Sequence, residues 1–170
     1  REARLMHSVN HPSCVRLYGV CSTANAASLV MEWMGGGDLS LFLKQVPSPP
    51  IHRRIALFRQ ICAGLCYLHN QKSIVHSDIK AANVLLSADF KIAKISDFGL
   101  SKIRLQGAGA YASSANMEGT VNYLPPERVL HKAVSDRSAD VYAMGALFWE
   151  SLSCSVMWDG MSWVDIFSAL

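Results

Sequence analysis

The sequence predicts an α+β fold, a small strand-bearing part followed by a larger and mostly helical one. Two observations carry this. Two short extended runs, Val15 to Cys21 and Ser28 to Met34, lie early in the chain. Apolar residues then recur at helical spacing from about Ile51 to His69 and again from about Ser138 to Ser153. The 170 residues suffice for one domain, and 51% hydrophobic against 17% charged residues supplies a sizeable core. That balance excludes a disordered chain, a collagen-like repeat and an acidic solvating tail.

In chain order, Ala3, Leu5, Met6 and Val9 fit a helix that His11-Pro12 ends. The two extended runs follow, joined by the polar link Ser22 to Asn25. Gly35-Gly36-Gly37 breaks the second run and is expected to be a flexible link. Asp38 can cap a short helix carrying Leu39, Leu41, Phe42 and Leu43. Pro47, Pro49 and Pro50 make a loop, and the long helix after it should bury Ile51, Ile55, Phe58, Cys62 and Leu65. Short β-like pieces are expected at Val84 to Leu86 and Ile92 to Ser96. Residues 101 to 119 form a Gly, Ala and Ser loop too long for a plain connector, so it is expected to be functional. A helix from near Ser138 to Ser153 and another from Ser162 complete the chain.

Sixteen Lys and Arg against thirteen Asp and Glu give a net charge of +3, with no cationic block of the kind that binds nucleic acid. No nucleic-acid partner is expected. Val141 to Trp158 is the nearest thing to a membrane span, but Glu150, Ser151, Ser153 and Ser155 interrupt it. A buried helix of a soluble domain is the expectation there. Five cysteines at irregular spacing argue against a disulfide framework and for a reducing compartment. Cys62, Cys66 and His69 would share a helix face, but a metal there would want a fourth ligand with no obvious source. Buried thiols are expected instead.

The polar residues in the middle of the chain carry the chemistry. Asp78, Lys80 and Asn83 sit in one loop, His76-Ser77-Asp78-Ile79-Lys80-Ala81-Ala82-Asn83, and Asp97 precedes Phe98-Gly99. Phosphoryl transfer needs hard oxygen ligands for magnesium, a carboxylate to take a hydroxyl proton and a cation on the moving phosphate. Asn83 and Asp97 can hold Mg²⁺, Asp78 can face the hydroxyl, and Lys80 can neutralise γ-phosphoryl oxygens.

In order along the chain, these residues resemble the catalytic domain of the eukaryotic protein kinases. His76 to Asn83 is similar to the catalytic loop, Asp97-Phe98-Gly99 to the magnesium-binding motif and Pro125-Pro126-Glu127 to the motif closing the activation segment. Asp140 to Gly145 resembles the start of the large-lobe central helix, whose aspartate anchors the catalytic-loop backbone in that family. The resemblance implies a two-lobed fold, with 1–34 as a partial small lobe and hinge start and 35–170 as an incomplete large lobe. It implies ATP and Mg²⁺ as cofactors. Glu32 and Met34 would offer hinge backbone groups to the adenine, Leu85 would lie beneath it, and Glu2 would pair with a lysine. Met6, Leu17, His76 and Phe98 would stack between the lobes. Thr120 would face the substrate and bond Asp78 and Lys80.

Lys80 and Thr120 resemble serine/threonine kinases, and Phe148-Trp149-Glu150 resembles the tyrosine-kinase-like branch. The implied activity is ATP-dependent phosphorylation of Ser and Thr hydroxyls in protein substrates, in the cytoplasm or at the cytoplasmic face of a membrane. The alternative is a pseudokinase that scaffolds partners with or without nucleotide. Ser77 stands where most of the family has arginine, so phosphorylation of the activation segment (by an upstream kinase at Ser101, Tyr111, Ser113 or Ser114) is expected to matter less. Pro125 replaces the usual alanine, with little expected consequence, and the family's arginine partner for Glu127 would lie beyond Leu170. The Gly-rich loop and paired lysine of the family would lie before Arg1. These residues therefore read as a fragment lacking both ends, expected to be marginally stable and inactive alone.

Overall fold

The computed structural model describes residues 7–22, 27–45, 47–97, 102–103, 121–131 and 136–169. Strands β1 (Leu17–Ser22) and β2 (Ala27–Met31) pair antiparallel, with Leu17 opposite Met31 and Ser22 opposite Ala27. A register shift between Leu17 and Gly19 bends the hairpin. Helix α1 (Leu39–Leu43) starts at Asp38, whose side chain accepts a hydrogen bond from the Leu41 N–H as the sequence predicts. Helix α2 (Ile51–Gln71) follows the proline loop. Strands β3 (Ile74–Val75), β4 (Val84–Leu86) and β5 (Ala93–Ile95) come next, β4 and β5 forming a hairpin with Val84 opposite Ile95. The short strand β6 (Lys102–Ile103) pairs with β3. Helices α3 (Pro126–His131), α4 (Arg137–Ser153) and α5 (Trp163–Ala169) complete the described chain.

Among the described residues one apolar cluster joins β1, α1, α2, β3, β4, β5 and α4. Leu57, Ile61, Leu65 and Leu68 of α2 meet Val84 and Leu86 of β4, Ile95 of β5, and Met144 and Leu147 of α4. The predicted α2 face is therefore a correction: Leu65 is buried and Phe58 partly so, but Ile51 is 53% exposed and Ile55 and Cys62 are exposed too. Apolar residues lie on two adjacent stripes of α2, so periodicity alone admits either as the buried one. Phe58, on the second stripe, packs against Phe148 of α4 with ring centroids 4.7 Å apart and planes tilted by 38°. The thiols at Cys62 and Cys66 are likewise exposed rather than buried, and His69 turns away into the core. Among the described residues no three His, Cys, Asp or Glu side chains gather as a metal site, and no helix is long and apolar enough to cross a membrane.

The glycine run after β2 is also a correction. The Gly36 N–H donates to the Leu86 carbonyl at 2.9 Å, and the Leu86 N–H donates to the Gly37 carbonyl at 2.8 Å. A Cβ on Gly36 would lie 2.3 Å from the Ser87 carbonyl oxygen. The run is fastened to β4 by close backbone approach, which only glycine permits, so it is a fixed connection and not a loose one. Helix α4 ends on an arginine cap. Arg54 Nη1 donates to the carbonyls of Ser151 at 3.0 Å and Leu152 at 2.6 Å, joining α2 to the end of α4. The long functional loop expected over 101 to 119 lies outside the described residues except at β6.

Candidate active site

The β4–β5 hairpin decides which polar residues meet. Asn83 immediately precedes β4 and Ser96 immediately follows β5, so pairing Val84 with Ile95 sets Asn83 opposite Ser96. The Ser96 N–H and Oγ both donate to the Asn83 carbonyl, at 2.9 and 3.0 Å. Asp97 is the next residue, exposed and held at a left-handed φ of 58°. Asn83 and Asp97 are thereby brought to one end of the hairpin.

Asp78 is buried in the loop before β4, at 8% exposure. Asn83 Nδ2 donates to the Asp78 carbonyl and to its Oδ2, both at 2.8 Å, and Lys80 Nζ lies 2.8 Å from the same Oδ2. Oδ1 is buried and has no hydrogen-bond partner among the described residues. One carboxylate oxygen is thus anchored twice, and among the described residues the other is an unspent acceptor. The donor set also suits magnesium: with both Asn83 amide protons directed at Asp78, Oδ1 of Asn83 remains as a hard oxygen, and the hairpin brings Asp97, a second oxygen donor, to the same end.

A second layer holds this loop. Asp140 of α4 is 1% exposed. Its Oδ2 accepts from the His76 N–H at 2.8 Å and His69 Nε2 at 2.7 Å, and its Oδ1 accepts from the Ser77 N–H at 2.7 Å. Ser77 itself sits at φ 71°, a conformation a serine adopts only under constraint. His76 is fully buried, its Nε2 donating to the Ser96 carbonyl at 2.9 Å while Nδ1 accepts from the Asp78 N–H at 3.3 Å. Those two bonds select the neutral Nε2–H tautomer, and burial pushes the pKa of His76 below the ordinary histidine value. Neutral His76 therefore ties Asp78 to the strand that leads into Asp97.

The other expected residues divide between described and undescribed positions. Met34 is buried, and Glu32 and Leu85 are half-buried, next to the fastened glycine run. Leu17 and His76, two of the four expected stacking residues, are both buried. Glu2, Met6, Phe98 and Thr120 lie outside the described residues, as do Ser101, Tyr111, Ser113 and Ser114. Pro126 opens α3 with Glu127 in its first turn. Proline suits that first position because its missing N–H would go unbonded there.

Sequence reasoning missed several contacts that position the site. Tyr123 precedes the Pro125-Pro126-Glu127 motif, and its hydroxyl donates to Oε2 of buried Glu150 on α4. The sequence offers His69 only beside two cysteines, although its place in the last turn of α2, seven residues before His76, is what lets it reach Asp140. Lys94 pairs with Glu32, 62 positions away, and no local pattern announces it.

The Tyr123–Glu150 bond makes a pH-dependent prediction. Burial raises the carboxyl pKa of Glu150, and the Tyr123 donor opposes that rise. A raised carboxyl contributes its stability fully below the ordinary glutamate value and loses it as pH climbs through the raised one. Tyr123→Phe removes the opposing donor and raises the carboxyl further, so the variant falls further behind wild type as pH increases. The expected deficit is about 1 kcal/mol at pH 5 and about 2–3 kcal/mol at pH 8. Urea unfolding at the two pH values measures it, and equal deficits would refute the assignment.

Comparison with known proteins agrees with this geometry. Residues 1–170 match the family described as protein tyrosine and serine/threonine kinase, and the chain belongs to the protein kinase family. Mitogen-activated protein kinase kinase 2 of Arabidopsis thaliana is 35% identical over 150 residues, covering 88% of this chain and 40% of that protein. Human tyrosine-protein kinase ZAP-70 is 40% identical over 154 residues, covering 90% of this chain and 24% of that protein. A probable serine/threonine-protein kinase, MARK-A of Dictyostelium discoideum, is 32% identical over 170 residues, covering all of this chain and 16% of that protein. The chain thus spans well under half the length of these relatives.

Proposed function

We propose that the protein containing this chain transfers the γ-phosphoryl group of ATP to serine and threonine hydroxyls of protein substrates. The observation that carries the reading is the division of labour at Asp78, with Oδ2 held by Asn83 and Lys80 and Oδ1 buried and unpaired among the described residues. In the proposed step, Asp78 Oδ1 accepts the proton of the substrate hydroxyl as its oxygen bonds to the γ-phosphorus. The bond from that phosphorus to the β–γ bridging oxygen breaks, and ADP leaves. Lys80, already at Asp78, places its charge where the transferred group gathers negative charge. Magnesium held by Asn83 Oδ1 and Asp97 would neutralise phosphate oxygens. Glu32 and Met34 would offer backbone groups to the adenine, with Leu85 beneath it; Glu2 would pair with the phosphate-binding lysine, and Thr120 would face the substrate hydroxyl.

The serine/threonine assignment is supported by Lys80, two residues after Asp78, since its ammonium can serve both Asp78 and the incoming phosphate. Residues 1–34 are assigned to the small lobe and 35–170 to the large one. The activity is assigned to the cytoplasm or a cytoplasmic membrane face, where ATP is abundant, with an upstream kinase on the activation segment as a further proposed partner. The test is full-length protein with magnesium and radiolabelled ATP, offered matched peptides whose acceptor is Ser, Thr or Tyr. Label on Ser and Thr is expected. Label confined to Tyr would overturn the substrate class, and no label on any peptide would favour the scaffold.

A further inference from the structure

The segment after β2 is held from two sides by one carboxylate. Glu32 Oε1 lies 2.6 Å from Nζ of Lys94, and the pair is well covered, at 14% exposure for Lys94 and 24% for Glu32. The other oxygen of Glu32 accepts from the Arg16 N–H at 3.3 Å, and the Glu32 N–H donates to the Arg16 carbonyl at 2.9 Å. Arg16 belongs to a stretch already fixed to β5. The Val15 N–H donates to the Ile95 carbonyl at 2.9 Å, and the Ile95 N–H donates to the Ser13 carbonyl at 2.9 Å. Lys94 stands in the middle of β5, opposite Leu85, and three residues before Asp97.

We infer that the Glu32–Lys94 ion pair is a latch that positions the adenine-binding edge relative to the magnesium end of the same site. The inference rests on the proposed nucleotide-binding role of Glu32, Met34 and Leu85. Lys94 is a positioning residue, since its ammonium is spent on Glu32. The pair joins residue 32 to β5, β5 carries Leu85 as its cross-strand neighbour, and β5 runs directly into Asp97. The backbone beyond Met34 is separately pinned to β4 through Gly36 and Gly37. With both ends of residues 32–37 tied to one hairpin, the edge is preorganised for a planar base, and the ordering cost falls on folding rather than on binding. Breaking the latch should therefore weaken nucleotide affinity and leave the phosphoryl-transfer step at saturating nucleotide nearly untouched.

The experiment uses full-length protein and a fluorescent ADP analogue with magnesium. Wild type, Lys94→Met, Glu32→Gln and the double variant are titrated, and ATP kinetics are run on wild type and Lys94→Met. Each single variant is expected to weaken nucleotide binding about 5-fold, and the double variant no further, because either change opens the same pair. Lys94→Met should raise KM for ATP by a similar factor with kcat within about 2-fold. Lys94→Arg, which keeps the charge, should restore affinity, which separates latching from general damage to the fold. Unchanged affinity in both single variants, or losses that add in the double, would overturn the latch while leaving the nucleotide site standing. Failure of the wild type to bind the analogue at all would overturn the nucleotide site and the latch with it.

Discussion

Asp78→Asn in the full-length protein leaves nucleotide binding within about 2-fold of wild type and lowers phosphoryl transfer by about 10²–10⁴-fold. The size of the loss follows from which oxygen is changed in function and which only in name. Oδ2 of Asp78 accepts from Asn83 and faces Lys80, and an asparagine oxygen can occupy that position with the same partners. The amide nitrogen then falls where Oδ1 was, the buried atom with no partner among the described residues. An amide there cannot take a proton, so the substrate hydroxyl loses its base while the loop keeps its shape. Steady-state phosphorylation of a Ser/Thr peptide and titration with a fluorescent nucleotide measure the two halves separately. Retention of more than about a tenth of wild-type kcat would remove Asp78 from the proton-transfer role.

Much of this site is legible in the chain because its chemistry is local. Asp78, Lys80 and Asn83 fall within six residues, and a loop that short obliges them to meet whatever surrounds it. Asp97 is legible through a second local fact, the two short strands between Asn83 and Asp97, which can only bring those ends together as a hairpin. The Asp38 cap and the α4 boundaries were readable for the same reason, since caps and helical periods are written within a few residues. What escaped depends on packing between distant segments. Two apolar stripes on α2 left its buried face undecided until α4 and β5 were in place, and Phe58 on one of them needed Phe148 as a partner. Gly35 to Gly37 looked like slack because glycine is usually read as freedom. At Gly36 the missing side chain instead admits the β4 backbone to a distance no Cβ would tolerate. The Lys94–Glu32 and Tyr123–Glu150 pairs join ordinary charged and aromatic residues whose local surroundings carry no signal.

Asp140→Asn should cost about 3–5 kcal/mol of stability and most of the activity, although the substitution changes one atom of a residue that touches no reacting group. Asp140 is buried and receives three donors on two oxygens: the His69 ring and the His76 N–H on Oδ2, and the Ser77 N–H on Oδ1. Asparagine retains one accepting oxygen. If that oxygen stays with His69 and His76, the new amide nitrogen points its protons at the Ser77 N–H, so a buried donor faces a donor. Ser77 is the residue least able to absorb this, because its φ of 71° is held against the preference of a side-chain-bearing residue. Released from Asp140, Ser77 would relax toward negative φ, and Asp78, the next residue, would swing with it. Glycine at position 77 removes the conformational penalty, so Ser77→Gly added to Asp140→Asn should recover about 1 kcal/mol and part of kcat. Ser77→Gly alone should be neutral to slightly stabilising. Chemical unfolding of the four proteins, with peptide phosphorylation beside it, tests the chain of cause. A loss below about 1 kcal/mol in Asp140→Asn, or no recovery on adding Ser77→Gly, would show that the left-handed turn does not depend on the α4 carboxylate.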